Sequence, residues 1–315
     1  SLNPEEIKRQ ISEDGNVEVI LGELPGEVIE TLDYVVISPG VPTDLPIVNK
    51  MRESGLPIWG EIELAYTYGK GDVLAITGTN GKTTTTALLG EIMKNYKESV
   101  FVVGNIGNPY TVEALSMTED SVAVAEVSSF QLETIHEFCP KVSAILNITP
   151  DHLNRHHTME AYIEAKKDVA KNQTEQDICV LNYEDGITRK IGEELNCKVL
   201  YFSSQHILDK GIYLENGTII YKNEKEVTIC HVNELKLLGL NTNFIESTVK
   251  ESYFSNKKIV LTGTLSSMGR DEAKSKIEEF GGVCVSSVSK NTNIVIYGEG
   301  AGSKYDKAVS LGIEL

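Results

Sequence analysis

The sequence predicts an α/β protein built from three parts, and three observations carry that prediction. Short apolar runs alternate with helical stretches from about residue 71 to 240. A glycine-rich turn, Gly78-Thr79-Asn80-Gly81-Lys82-Thr83-Thr84, joins the run at 73–77 to a helical pattern. The charge is also uneven: residues 253–315 hold eight basic and seven acidic side chains, so of the net −17 they carry +1 and residues 1–252 carry −18. With 315 residues there is room for two or three domains and a sizeable core.

Residues 1–66 read as part of an α/β domain. A helix is expected over 4–11, strands over 17–21 and 34–37, a turn at 38–42, and helices over 47–54 and 61–68. Trp59, the only tryptophan, reads as a packing residue. In the part spanning 67–240, strands at 73–77, 99–103, 121–126, 143–147, 178–181 and 198–202 predict a mainly parallel sheet covered on both faces. Residues 211–230 change to short hairpin strands turning at Asn216-Gly217 and Asn223-Glu224. The polar stretch 241–252 reads as a linker. In 253–315 strands are expected at 258–263, 283–285 and 293–296, an amphipathic helix over 270–280, a helix over 303–311, and a short last strand at 313–315.

Composition narrows the class. No run of about 20 apolar residues is present, so no membrane span is expected. The opening residues lack the basic and apolar regions of a signal peptide, and a cytoplasmic location follows as the expectation. Five cysteines (139, 179, 197, 230 and 284) stand far apart without a CxxC pair, which argues for reduced thiols rather than zinc or disulfides. The acidic larger part would be repelled by a phosphate backbone; the C-terminal part would not.

The turn at 78–84 carries the strongest chemistry. Gly78 and Gly81 let backbone N–H groups approach a phosphate, and the helix start adds its positive end. Lys82 supplies a cation for the β/γ-phosphates and the Thr83 hydroxyl a ligand for Mg²⁺. The usual spacing asks for glycine at position 76, where isoleucine stands, so the reading rests on strand, Gly-x-x-Gly-Lys-Thr and helix occurring in order. Glu126, at the end of an apolar run, suits Mg²⁺; equally, it opens a helix capped by Ser128 or Ser129 paired with Gln131 or Glu133. Asp151-His152 after the run at 144–147 offers metal ligands or a solvated loop. His156 and His157 read as surface residues. Tyr162 and Lys166 lie four apart on one helix, and the residues alone place Lys166 and Lys167 on a solvated face.

Together these stretches resemble the Mur ligases, the ATP-dependent amide-forming enzymes of peptidoglycan synthesis, and among them the D-glutamate-adding members. The likeness runs over about 1–240 and rests on Ser38-Pro39-Gly40-Val41, Gly60-Glu61-Ile62-Glu63, Thr77 to Thr84, Gly104-Asn105-Ile106-Gly107, Glu126 to Glu133, Asn147 to His152, and Tyr162 to Lys166. It implies a Rossmann-like substrate domain at 1–66, truncated here, and a central ATP-binding domain at 67–240. By resemblance Gly78, Thr79, Asn80, Gly81, Lys82, Thr83 and Thr84 bind ATP, and Thr83, Glu126 and His152 hold Mg²⁺. Lys166 matches a lysine that the family carbamylates to hold a second Mg²⁺. Asn105, Ser128 and Gln131 match residues that touch the UDP-N-acetylmuramoyl-L-alanine substrate. Lys82, His152 and Lys166 would form the catalytic set. The implied reaction moves a phosphoryl group from ATP to the alanine carboxylate, and the amine of D-glutamate then attacks the acyl phosphate.

The pattern departs from the family after Leu237-Leu238-Gly239-Leu240, where Asn241-Thr242-Asn243 follows. The expectation is a chain without the D-glutamate-binding domain and impaired in ligation. Residues 253–315 instead resemble the BRCT domain of bacterial NAD-dependent DNA ligases, through Lys257 to Leu265, Arg270 to Ala273, Gly281-Gly282, Ser289 to Thr292 and Gly302-Ser303-Lys304. That likeness implies a small α/β domain, its last helix missing, with Thr262, Gly263 and Lys304 as a phosphate site; a β-turn with a solvated lysine reads equally well. The alternative for the whole is a composite or truncated chain whose BRCT-like part binds DNA or protein without ligase activity.

Overall fold

The computed structural model describes residues 18–237 and, beyond them, 253–254, 257–263, 273–274, 276–277, 280, 282–285, 287–298, 300 and 302–314. The expected helix at 4–11 and linker at 241–252 lie outside the described residues, as does most of the helix at 270–280. The chain divides into two compact units, residues 1–238 and 239–315.

In the first unit, helix α1 (Gly26–Ile29), strand β1 (Val35–Ile37), helix α2 (Pro46–Glu53) and strand β2 (Ile58–Gly60) form a small layer of their own. β1 and β2 pair in parallel, and Ile29, Val48, Met51 and Ile58 close a separate apolar cluster beneath them. Residues 18–21 are not a strand, although their β-branched composition predicted one; β1 pairs only with β2 among the described residues, and Leu21 is exposed. Trp59 stacks on Tyr34 with ring centroids 4.8 Å apart.

Helix α3 (Glu61–Tyr68) leads into the large sheet. Its strands are β3 (Asp72–Thr77), β4 (Val100–Gly104), β5 (Val122–Glu126), β6 (Val142–Ile145), β7 (Ile178–Asn182), β8 (Lys198–Ser203), β9 (Gly211–Glu215), β10 (Thr218–Lys222) and β11 (Glu226–His231). Their order is β11-β10-β9-β8-β7-β6-β3-β5-β4, parallel from β4 to β9 and antiparallel only through β10 and β11. The expected hairpins therefore extend the sheet rather than start a new one. Asn216 and Gly217, both in the left-handed region, make the tight turn between β9 and β10.

Alternation along β5 shows how both faces are covered. Ala123 and Ala125 join the cluster containing Val73, Ala75 and Phe138, whereas Val122 and Val124 join Ile76 beneath helix α4 (Lys82–Met93). A strand buried on both faces reads as a continuous apolar run, as this one does. β3 has β6 on one side and β5 on the other, although the chain reaches both only after β4. Chain direction across the sheet reverses at β3, and open parallel sheets bind ligands outside the carboxyl ends of strands at such a point.

Glu63 fastens α3 to the central sheet. Its buried carboxylate accepts from the backbone N–H groups of His136, Glu137 and Phe138 at 2.9, 2.7 and 3.1 Å. Glu63→Ala leaves those donors without an acceptor and should lower stability by about 3 kcal/mol, read from urea unfolding. An unchanged midpoint would contradict this.

In the second unit, β12 (Lys258–Thr262) lies between β13 (Val283–Cys284) and β14 (Ile294–Tyr297), all parallel. Ala308 of its helix α11 (Gly302–Ser310) packs with Val260, Val288 and Val295. The expected last strand is an isolated bridge from Glu314 to Ile294. The remaining helices of the first unit are α5 (Tyr110–Ala114), α6 (Ser129–Leu132), α7 (Leu153–His156), α8 (Met159–Lys167), α9 (Gly186–Glu194) and α10 (Val232–Leu237). No helix among the described residues is long and apolar enough to cross a membrane.

Candidate nucleotide site

The loop from Gly78 to Gly81 leaves β3 at the carboxyl edge and enters α4. Gly78 has φ +145° and Gly81, at the helix N-cap, φ +84°, conformations that a side chain would strain. The first amides of α4 have no intrahelical acceptor and point out of the helix start, the arrangement that binds anions. The Lys82 ammonium folds over the loop and donates to the carbonyls of Gly78 and Thr79 at 3.0 and 2.9 Å.

The loop is propped from the segments after β6. The Thr79 N–H donates to the Asn147 carbonyl at 2.9 Å, and the Asn80 N–H to Asn147 Oδ1 at 2.8 Å. These two amides, within the stretch expected to bind ATP, are engaged within the protein. Asn147, the last residue of the strand expected over 143–147, lies two residues beyond the end of β6. The Thr79 hydroxyl meets the Tyr162 hydroxyl at 3.1 Å and also accepts from the Thr149 N–H.

Lys166 overturns the solvated reading of its helix face. It is 2 % exposed, donates to the Gly78 carbonyl at 2.7 Å and lies over the Tyr162 ring. Burial, reinforced by the Lys82 charge, pushes its ammonium down to about 7. A large part of it is therefore the neutral amine at neutral pH. Its neighbour Lys167 points outward and pairs with Glu164 and Glu194.

Glu126 ends β5 between β3 and β4, where Ile76 and Gly104 are its register partners. A Cβ at Gly104 would come within 2.3 Å of the Glu126 carbonyl, so only glycine allows this approach. Asn105 Nδ2 donates to Glu126 Oε1 at 2.8 Å, whereas the buried Oε2 has no hydrogen-bond partner among the described residues. The capping reading holds two residues later: Ser128 caps α6, and Gln131 returns to the Ser128 N–H and hydroxyl.

His152 is half-exposed at φ +51°, beside Asp151 and against the Phe130 ring, and makes no hydrogen bond to Glu126 or Lys82 among the described residues. His156, expected at the surface, is buried instead. Its ring nitrogens meet Ser129 Oγ at 2.9 Å and Glu133 at 3.4 Å, and burial pushes its pKa down against the opposing pull of Glu133. Arg155 donates to Glu133 at 2.7 Å and to the Val41 carbonyl at 3.0 Å. This cluster ties the segment bearing His152 to the end of α6 and to the loop after β1. His157 is exposed as expected.

The donor set fits Mg²⁺ through one observation, the buried and unpartnered Glu126 Oε2, together with the chemistry of a hard carboxylate oxygen. No three His, Cys, Asp or Glu side chains converge on one point among the described residues. A cleft of about 550 Å³ opens beside this edge, lined by Ile37, Ser38, Pro39, Glu61, Gly104 and Gly107 among others. In the second unit, Thr262 ends β12, Gly263 follows in the left-handed region at φ +72°, and Lys304 stands in the first turn of α11.

Residues 76–245 match the Mur ligase middle domain family, and residues 249–315 match the BRCT (BRCA1 C Terminus) domain family. A UDP-N-acetylmuramoylalanine–D-glutamate ligase of Lachnoclostridium phytofermentans is 56% identical over 239 residues, 76% of this chain and 53% of that protein. One of Alkaliphilus metalliredigens is 44% identical over 283 residues, 88% of this chain and 62% of that protein. One of Clostridioides difficile is 51% identical over 225 residues, 71% of this chain and 50% of that protein. The chain thus spans about half the length of the first of these relatives.

Proposed function

The chain belongs to the Mur ligase family, and from that premise we propose that it binds Mg-ATP at the Gly78–Thr84 loop and phosphorylates the carboxylate of UDP-N-acetylmuramoyl-L-alanine. The observation that carries this reading is a lysine-bearing anion cradle at the carboxyl edge of a parallel sheet, with the unpartnered Glu126 oxygen on the adjoining strand.

Both reactants are anions, and the protein's task is to hold them together and meet the charge that shifts in transfer. The α4 amides and the Lys82 ammonium hold the β/γ-phosphates. Thr83, Glu126 and His152 are the residues that would hold Mg²⁺, which when bound supplies Lewis-acid stabilisation of phosphoryl oxygens. Asn105 keeps one Glu126 oxygen in place, and the other, buried without a hydrogen-bond partner among the described residues, is the one that would meet the metal. The cleft lined by Ser38, Pro39 and Gly104 would receive the UDP-sugar, and Asn105, Ser128 and Gln131 would touch that substrate. Attack by the D-glutamate amine on the acyl phosphate would complete the amide and release phosphate. The neutral Lys166 amine can add to carbon dioxide, forming an N–C bond and releasing one proton. The resulting carbamate would hold a second Mg²⁺.

The test is to incubate the full chain with Mg-ATP and UDP-N-acetylmuramoyl-L-alanine in the presence of hydroxylamine. An acyl phosphate is trapped as the hydroxamate, whether or not D-glutamate is ligated. ADP and hydroxamate in equal amounts are expected. Absence of hydroxamate while the chain binds both substrates would sink the reading.

A second reading concerns residues 253–315, favoured by their near-neutral charge beside the acidic remainder. Here Thr262, Gly263 and Lys304 would take a phosphate of DNA or of a protein. A gel shift with nicked DNA at low salt that fades at high salt is expected for DNA; no shift at low salt would remove that partner.

A further inference from the structure

We infer that Asn147, through its side-chain amide, is the positioning residue that sets the phosphate loop in its binding conformation, an inference that rests on the nucleotide reading above. The amide of Asn147 acts as a short piece of strand laid against residue 80. Oδ1 accepts from the Asn80 N–H at 2.8 Å and Nδ2 donates to the Asn80 carbonyl at 3.0 Å. The Asn147 backbone carbonyl takes the neighbouring Thr79 N–H at 2.9 Å. Three hydrogen bonds from one residue thus fix the two residues lying between Gly78 and Gly81.

Those two residues need fixing. Gly78 and Gly81 both carry positive φ, and a glycine crosses between backbone regions at little cost. Peptides flanked by such hinges can rotate, and a rotated peptide would present a carbonyl where a phosphate oxygen must sit. The Lys82 ammonium already gathers the Gly78 and Thr79 carbonyls, and Lys166 takes the Gly78 carbonyl a second time. Lys82 thus bonds one side of the peptide that carries the Asn80 N–H, whereas the Asn80 carbonyl of the next peptide is held by Asn147 Nδ2. The packing is close as well: a Cβ at Gly78 would stand 3.3 Å from the Asn147 backbone nitrogen and oxygen. Asn147 is anchored in turn because Leu146 N–H donates to the Thr77 carbonyl and Ile148 N–H to Asp185 at 2.7 Å.

Only an amide serves here, since one atom must accept and the other donate. Asn147→Asp keeps the acceptor, loses the donor and brings a negative charge to an anion site. Asn147→Ala loses both.

The experiment measures three things on the full chain and both variants: Mg-ATP affinity, melting temperature, and hydrogen exchange at the Asn80 amide. Expected are Mg-ATP binding weakened about tenfold in Asn147→Ala and further in Asn147→Asp, melting within a few degrees of the parent, and faster exchange at Asn80 in the alanine variant. A purely structural role would lower the melting temperature and leave the affinity of the folded protein unchanged. Mg-ATP affinity within twofold of the parent in both variants overturns the inference. If the alanine variant does not fold, the aspartate variant decides by the same affinity criterion. If the parent itself binds no Mg-ATP, the nucleotide reading fails, and unchanged Asn80 exchange in the variants would overturn the positioning role separately.

Discussion

Lys82→Ala is expected to weaken Mg-ATP binding at least 100-fold, about 2.7 kcal/mol, and to abolish hydroxamate formation. The side chain is the cation over the loop, and its Nζ sits within 3.0 Å of two loop carbonyls. In a site with Lys166 held near neutrality by burial, Lys82 carries most of the positive charge available to a triphosphate. Its loss therefore removes attraction for the ground state and charge stabilisation in transfer. Lys82→Arg should recover little, because a planar fork cannot replace a compact ammonium folded between two carbonyls. Isothermal titration of Mg-ATP against parent and variant decides the matter; equal affinities would remove the loop from the account of function.

The second large effect concerns Lys166. Its folded pKa is depressed to about 7, so between that value and the usual lysine range the unfolded chain binds more protons than the folded one. Stability should rise with pH across about 7 to 10, and the full cost of the buried ammonium is present below about 7. Lys166→Met removes the group from this balance. It should stabilise the protein at pH 6 by about 1–3 kcal/mol and flatten the slope above pH 7, because an apolar chain replaces a buried charge. The same variant should form hydroxamate at least 100-fold more slowly, roughly 2.7 kcal/mol of barrier. Labelled bicarbonate should give a carbamate carbon resonance in the parent and none in the variant. A variant as active as the parent, or a stability slope unchanged by the substitution, would show that Lys166 has neither the titration nor the role given to it.

Much of the fold was legible because its signals are local. The apolar run at 73–77, two glycines and the lysine that opens a helix lie within a dozen residues, and each property acts over that span. Strands β4, β5, β7 and β8 could be read from buried runs for the same reason. Residues 18–21 have the composition of a strand, but strand propensity expresses itself only against a neighbour. Adjacent lysines at 166 and 167 are indistinguishable in composition; the available sign was Tyr162, one helical turn before Lys166 and itself buried. His156 was misplaced because its partners, Ser129 and Glu133, lie more than twenty residues earlier in the chain. Asn147 is 67 positions from the residue it holds, and no periodicity reports such a pair.

The strand order has a consequence for how the protein is made. β3 emerges from the ribosome well before either of its neighbours, since β5 ends at Glu126 and β6 at Ile145. Asn147, Thr149, Tyr162 and Lys166, which steady the loop behind β3, come later still. During translation the nascent chain carries its glycine-hinged segment without Asn147 until β6 has been passed and without Lys166 until helix α8 has been extruded, and long-range pairing of this kind is slow. A nascent fragment ending before α8 has the loop and Asn147 but lacks the Tyr162 and Lys166 contacts, whereas one extending past it has them all.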